Sequence, residues 1–187
     1  DPIGSQFGPS VFYSRRVLGL PEIVEGTVSA RHKVEIDEKV KADPQALARI
    51  IKSYARYLGA AIVRIAPLNQ SWVYTHYARP YTLEPYGKPV DLNYKNIICM
   101  AIPQNRAMMA TGDGIAEHVE VGWIYTYASL LSVILAQFVR SLGWPATALT
   151  SENSPYQVVP AFVDAGIGEQ GRCSFVVNKD YGNNFRP

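Results

Sequence analysis

The sequence predicts a soluble α/β fold, and three observations carry that expectation. At 187 residues with 48% hydrophobic content, the chain can build one real core. A helix-period segment at 43–59 runs straight into a β-branched run at 60–67, and a long helical run at 119–144 again precedes strand-like sequence. The short apolar runs "AAIVRIAP" and "NIICMAIP" both end on proline, as buried strands bounded by breakers do.

Residues 1–42, punctuated by Gly and Pro and then charged, read as an extended N-terminal arm, and 43–187 as the domain it wraps. "SRRVLGL" at 14–20 looks like a twin-arginine export motif, but charged sequence follows Pro21 where an apolar h-region is needed. Either no signal existed, or one lay upstream and is gone. From there Asp43 is the N-cap, Pro44 the first helical position, Leu47, Ile50, Ile51, Tyr54 and Leu58 the apolar stripe, and Gly59 the stop. Residues 60–67 and 96–103 are buried strands. Between them, 68–95 holds Trp72, Tyr74, Tyr77, Tyr81, Tyr86 and Tyr94 with only Arg79, Lys88 and Lys95 as cations. That is too little charge to hold a phosphate backbone, and the segment reads as a packing cover rather than a ligand lid. A formal charge of +2 without a basic block points the same way, so no nucleic-acid partner is expected.

Between Glu120 and Arg140 lie nineteen uncharged residues, about the length that spans a bilayer's hydrocarbon core. Gly122, Thr126, Ser129, Ser132 and Gln137 moderate its hydrophobicity, and no Lys/Arg cluster sets a topology. It reads as a helix running through a core covered on both sides, where Tyr125 and Tyr127 each need a hydrogen-bond partner. Past Gly143, 145–151 reads as a strand, 152–165 as a turn into a short helix or bent strand, and 172–180 as a strand. "GIGEQG" at 166–171 matches G-x-G-x-x-G, yet it leads into a strand rather than a helix, and the chain ends before the acidic residue a dinucleotide site needs. Its glycines mark a tight backbone path, either to turn sharply or to approach a flat ligand closely. His32, His76 and His118 show no zinc spacing, and neither a nucleophile elbow nor a P-loop occurs.

Five segments in order, "KADPQALARIIKSYARYLGAAIVRIAPLNQSWVY", the "MM" at 108–109, "WIYTYASLLSVILAQFVRSLGW", "SENSPYQVVPAFVDAGIGEQGR" and "KDYGNNFRP", resemble the corrinoid-binding region of reductive dehalogenases and, more distantly, epoxyqueuosine reductases. The resemblance implies a nitroreductase-like α/β sandwich, a cobalamin or related corrinoid held base-off, and two [4Fe–4S] clusters that pass electrons to it. Around the halogenated organic substrate it places a tyrosine on the long helix, an asparagine after the next strand and an arginine in a Y-G-x-x-x-R motif. These fall on Tyr127, Asn153 and Arg186, with Tyr127 taken over Tyr125 on its spacing to Asn153. As the carbon–halogen bond breaks, the carbon gathers negative charge and must take a proton. A phenol holds its proton at neutral pH, and a cation within about 4–6 Å favours the ionised form and eases donation. The resemblance makes Arg186 that cation and has Asn153 orient the hydroxyl or the substrate. Trp123, one turn before Tyr127, lines the pocket. The family likewise lays Gly166, Gly168 and Gly171 along the corrin ring.

One departure stands out. The cysteine runs that hold the family's clusters, of the type C-x₂-C-x₂-C-x₃-C-P, are absent, and neither Cys99 nor Cys173 suits a cluster ligand. The chain is therefore expected to be an N-terminal portion whose cluster segment is missing or supplied as another chain, or a derivative unable to receive electrons internally. Alone it is expected not to turn over with a physiological donor. Expected partners are the halogenated substrate, a membrane-anchor subunit and a second copy in a homodimer. The expected location is the outer face of the cytoplasmic membrane if a signal was removed, and otherwise the cytoplasm. Two other readings stand beside this one: a corrinoid-binding module without chemistry, and an enzyme of the epoxyqueuosine reductase type acting on tRNA.

Overall fold

The structure, a computed structural model, describes residues 39–78, 85–112, 114–150 and 154–187. The elements in chain order are α1 (Pro44–Tyr57), β1 (Ile62–Pro67), a 3₁₀ turn (Gln70–Trp72), β2 (Asn96–Pro103), α2 (Arg106–Met109), α3 (Ile115–Ser141), α4 (Val158–Asp164), β3 (Glu169–Gln170), β4 (Val176–Val177) and β5 (Phe185–Arg186). They form two compact units. Among the described residues, one comprises 39–41, Pro103–Ala148 and Arg186; the other comprises Ala42–Ile102, Leu149–Phe185 and Pro187. Most of the N-terminal arm, residues 1–38, lies outside the described residues.

In the second unit α1 forms where its local signals place it. Asp43 Oδ2 accepts from the Ala46 amide at 2.9 Å, and proline occupies the first turn, where no amide is needed. Gly59 ends the helix at φ 107, a left-handed conformation costly for any residue with a Cβ. β1 pairs antiparallel with β2, with Val63 opposite Met100 and Ile65 opposite Ile98, and the sheet order is β1-β2-β5. The result is a mixed helix-and-sheet fold. Its core gathers Cys99, Ala101, Tyr156, Ala161, Phe162, Ile167, Val176 and Phe185, with the Phe162 and Phe185 rings stacked at 6.4 Å.

The aromatic segment after β1 packs as a cover where it is described. Leu68, Trp72, Val73, Val90 and Tyr94 lie against this core. Hydrogen bonds from Tyr77 N to Lys88 O (2.9 Å) and from Val90 N to Thr75 O (3.0 Å) close the segment on itself. Arg79 and Tyr81 lie outside the described residues. α4 confirms the helical alternative for 152–165. Pro160 falls in its first turn, where a missing amide costs nothing.

Burial decides the chemistry of the two thiols. Cys99 is buried in β2 and Cys173 is exposed. Burial, reinforced by the nearby Asp164 carboxylate, pushes the Cys99 thiol from about 9 up to about 12. The folded pKa lies above the unfolded one, so the stability tied to the neutral thiol is complete below about pH 9 and is lost as pH rises towards about 12. A thiol-alkylating reagent at pH 8 is therefore expected to label Cys173 in the native protein and Cys99 only after unfolding. Mass spectrometry of peptides checks this, and native labelling of Cys99 contradicts it.

In the first unit α3 dominates. It is long and apolar enough to cross a membrane, yet its buried side chains include Glu120 and Arg140 beside Ile124, Leu131 and Leu135. Ile115, Val119, Trp123 and Leu130 are exposed, so the helix is not covered on both sides as expected, while several of its polar groups are matched within the fold. Thr126, Ser129 and Ser132 hydroxyls donate to carbonyls one turn back at 2.8–3.0 Å. Arg140 donates to Ala146 O at 3.1 Å and to Gln137 Oε1 at 2.6 Å. α3 begins four residues before the predicted start at 119, behind Gly114, which offers no capping side chain for a sequence reading to find.

One predicted strand fails and another is shortened. Of 145–151, the described residues 145–150 carry no regular structure, with Ala146 and Ala148 packed beside Val133 and Ala136 of α3. Within 172–180 only Val176–Val177 is strand. Ser174 sits at φ 62, and its amide donates to Gly171 O at 3.0 Å, so the chain turns where an extended run was expected.

Candidate functional site

The first unit carries the predicted aromatic residues on one stretch of α3. The Trp123 and Tyr127 rings are stacked at 5.9 Å and 13°, as residues one turn apart allow. Trp123 is 59% exposed, whereas Tyr125 and Tyr127 are half-buried. The backbone here is tied down from both directions. Ser129 Oγ donates to Tyr125 O at 2.9 Å, and Glu120 Oε1 accepts from Asn105 N at 2.7 Å. Asn105 Oδ1 in turn accepts from Ala107 N and Met108 N, which anchors α2 to the start of α3.

Arg186 completes this group. Its guanidinium carbon lies 5.1 Å from the centroid of the Tyr125 ring, a cation–π contact. Its Nε is buried and has no hydrogen-bond partner. No carboxylate among the described residues pairs with it. A half-buried cation thus sits on the helix that carries both tyrosines, with a donor uncommitted. Residues two apart on a helix project about 200° apart, so Tyr125 and Tyr127 leave α3 on different sides. The structure thereby joins Trp123 with Tyr127, and Arg186 with Tyr125. Asn153 lies outside the described residues.

The glycine segment is explained largely from within the second unit. Gly166 takes φ +68 with open space where a Cβ would stand, so it serves the turn after α4. A Cβ on Gly168 would strike the Val177 carbonyl oxygen, so its missing side chain is used by the approach of β4. At Gly171 a Cβ would come within 3.2 Å of the Val177 side chain, in the turn whose amide donates to Phe175 O at 2.8 Å.

Another phenol, Tyr156, is buried in the core of the second unit. Burial first, then the neighbouring Cys99 and Asp164, pushes its pKa above the ordinary phenol value, which makes it a poor proton donor. The Asp164 carboxylate is held by Trp72 Nε1 at 2.7 Å and Asn69 Nδ2 at 3.5 Å, a packing network rather than a reactive one. Among the described residues no group of three or more His, Cys, Asp and Glu side chains could hold a metal ion. His76 bonds Thr75 and His118 bonds the Gly114 carbonyl. Tyr125 is the functional candidate that sequence reasoning passed over. Its only distinguishing feature is a contact with a residue distant in sequence, which no local pattern announces.

No family model matches the chain. In sequence it is similar to the tetrachloroethene reductive dehalogenase of Sulfurospirillum multivorans, 26% identical over 169 residues that cover 77% of this chain and 33% of the relative. In structure it matches the catabolic reductive dehalogenase NpRdhA solved in complex with 3-bromo-4-hydroxybenzoic acid. That match has a TM-score of 0.72 at 23% identity over 90% of this chain and 25% of the other. A further reductive dehalogenase structure, reported as suggesting a mechanism for B12-dependent dehalogenation, gives a TM-score of 0.74 at 22% identity over 90% of this chain and 25% of that one. The chain spans about a third of the length of the curated relative and a quarter of the solved ones. The resemblance to reductive dehalogenases therefore holds in both sequence and fold.

Proposed function

We propose that this chain forms the corrinoid-facing, proton-donating part of a reductive dehalogenase acting on an organohalide, built on the nitroreductase-like α/β sandwich that the resemblance implies. The observation that carries the reading is Arg186, a half-buried residue whose guanidinium lies over the Tyr125 ring of α3 and whose Nε–H meets no acceptor. Leaving a buried donor unsatisfied costs about 1–3 kcal/mol, so a partner that arrives with substrate is the natural reason to keep it.

In this reading Tyr127 Oη gives its proton to the carbon from which halide departs. Arg186, whose observed aromatic contact is with Tyr125, supplies positive charge on the same helix for the charge that develops, and Asn153 orients the hydroxyl or the substrate. Trp123 lines the apolar wall and helps keep water out. A bound corrinoid supplies the reducing electrons. Of the three glycines that the resemblance lays along such a cofactor, Gly166 has open space where a Cβ would stand, whereas Val177 already approaches Gly168 and Gly171. The two described cysteines, one buried and one exposed, do not fit an iron–sulfur cluster, and no step is assigned to one.

Reconstitution of the complete protein with cobalamin tests this proposal. A base-off absorption spectrum and halide release under a reducing dye are expected, and a spectrum identical to free cofactor refutes the reading.

A further inference from the structure

We infer that Tyr125 is the positioning residue for Arg186: its ring face holds the guanidinium over α3 without using the buried Nε donor and without adding a negative charge. The inference rests on the proposed role of Arg186 in proton donation, and it adds a residue that this chemistry does not otherwise use.

Arginine is usually fixed by a carboxylate, which takes a fork of two N–H donors and neutralises the charge. An arginine so paired would have little field left for a developing phenolate. An aromatic face works differently. It attracts the cation through the ring quadrupole, contributes no negative charge of its own, and does not require the five N–H groups to be spent on an acceptor. The structure shows that arrangement. The guanidinium carbon is 5.1 Å from the Tyr125 centroid, no carboxylate among the described residues pairs with Arg186, and the buried Nε is unsatisfied. Tyr125 is also well placed to be rigid. It is half-buried, and its own carbonyl is held by Ser129 Oγ at 2.9 Å.

A double-mutant cycle in the complete enzyme tests the inference. Tyr125→Leu keeps apolar bulk but removes the quadrupole, and is expected to lower kcat about tenfold with little change in KM. Tyr125→Phe keeps the ring and is expected to restore most of that loss. In an Arg186→Gln background, Tyr125→Leu is expected to cost nothing further, because the residue acts only through the arginine. Additive losses, or equal losses in the Phe and Leu variants, overturn the inference. Should the wild-type complete protein release no halide, the proposed function fails. The inference is then decided by a crystal structure of the Tyr125→Leu protein: a displaced guanidinium upholds it, and one left in place overturns it.

Discussion

In the complete enzyme Tyr127→Phe is expected to lower dehalogenation by about 10²- to 10⁴-fold while leaving bound corrinoid spectrally unchanged. The substitution removes only the hydroxyl. The phenylalanine ring can keep the stacking on Trp123, now at 5.9 Å, so the shape of the aromatic wall survives and a lost rate would support the proposed role of the hydroxyl as proton donor. The range corresponds to about 3–5 kcal/mol of barrier, more than one packing contact on a half-exposed face can supply. Halide release in single-turnover assays, followed beside the cofactor spectrum, separates this outcome from loss of binding. Unchanged activity in Tyr127→Phe together with a large loss in Tyr125→Phe would move the acid two positions along α3, to the phenol that already lies under Arg186.

The second large effect concerns stability rather than rate. Gly168→Ala is expected to destabilise the fold by about 3 kcal/mol, because a Cβ there overlaps the Val177 backbone and either β4 or the segment after α4 must shift. For a chain of this size that is a fall in Tm of roughly 6–12 °C. Gly166→Ala is expected to cost less, about 1–2 kcal/mol, since it meets only open space and pays for its positive φ alone. Thermal and urea unfolding of the two variants check the order. Cobalamin titration of Gly166→Ala then tests whether this turn also touches the cofactor. A Gly168→Ala protein with unaltered stability but weakened corrinoid binding would return Gly168 to the corrin surface.

The legible parts of this protein are those whose causes are local. Asp43, Pro44 and Gly59 announce the two ends of α1 within one turn of chain, and the proline-ended β-branched runs announce β1 and β2. The uncharged span between Glu120 and Arg140 marks α3 as one long apolar helix, which is buried only in part, with Trp123 and Leu130 exposed, and back-bonded Ser and Thr explain how it tolerates its polar groups. What escaped reading was whatever depends on a distant partner. Residues 145–151 look like a strand, but Ala146 and Ala148 find their neighbours on α3 and Leu149 packs against the core of the second unit. The glycines of 166–171 left two explanations open, and only the approach of Val177 assigns Gly168 to packing.

The same division runs through the candidate site. The order of motifs along the chain singled out Trp123, Tyr127, Asn153 and Arg186 as residue types able to do one chemistry together. That order is a property of sequence alone. Which phenol lies beneath the guanidinium is set by a contact between residue 186 and a helix far earlier in the chain. Helix periodicity places side chains around their own axis, but it carries no information about what arrives from outside. Tyr125 as the partner of Arg186 was therefore decided by tertiary structure, because a cation–π contact is a relation in space between residues that share no local signal.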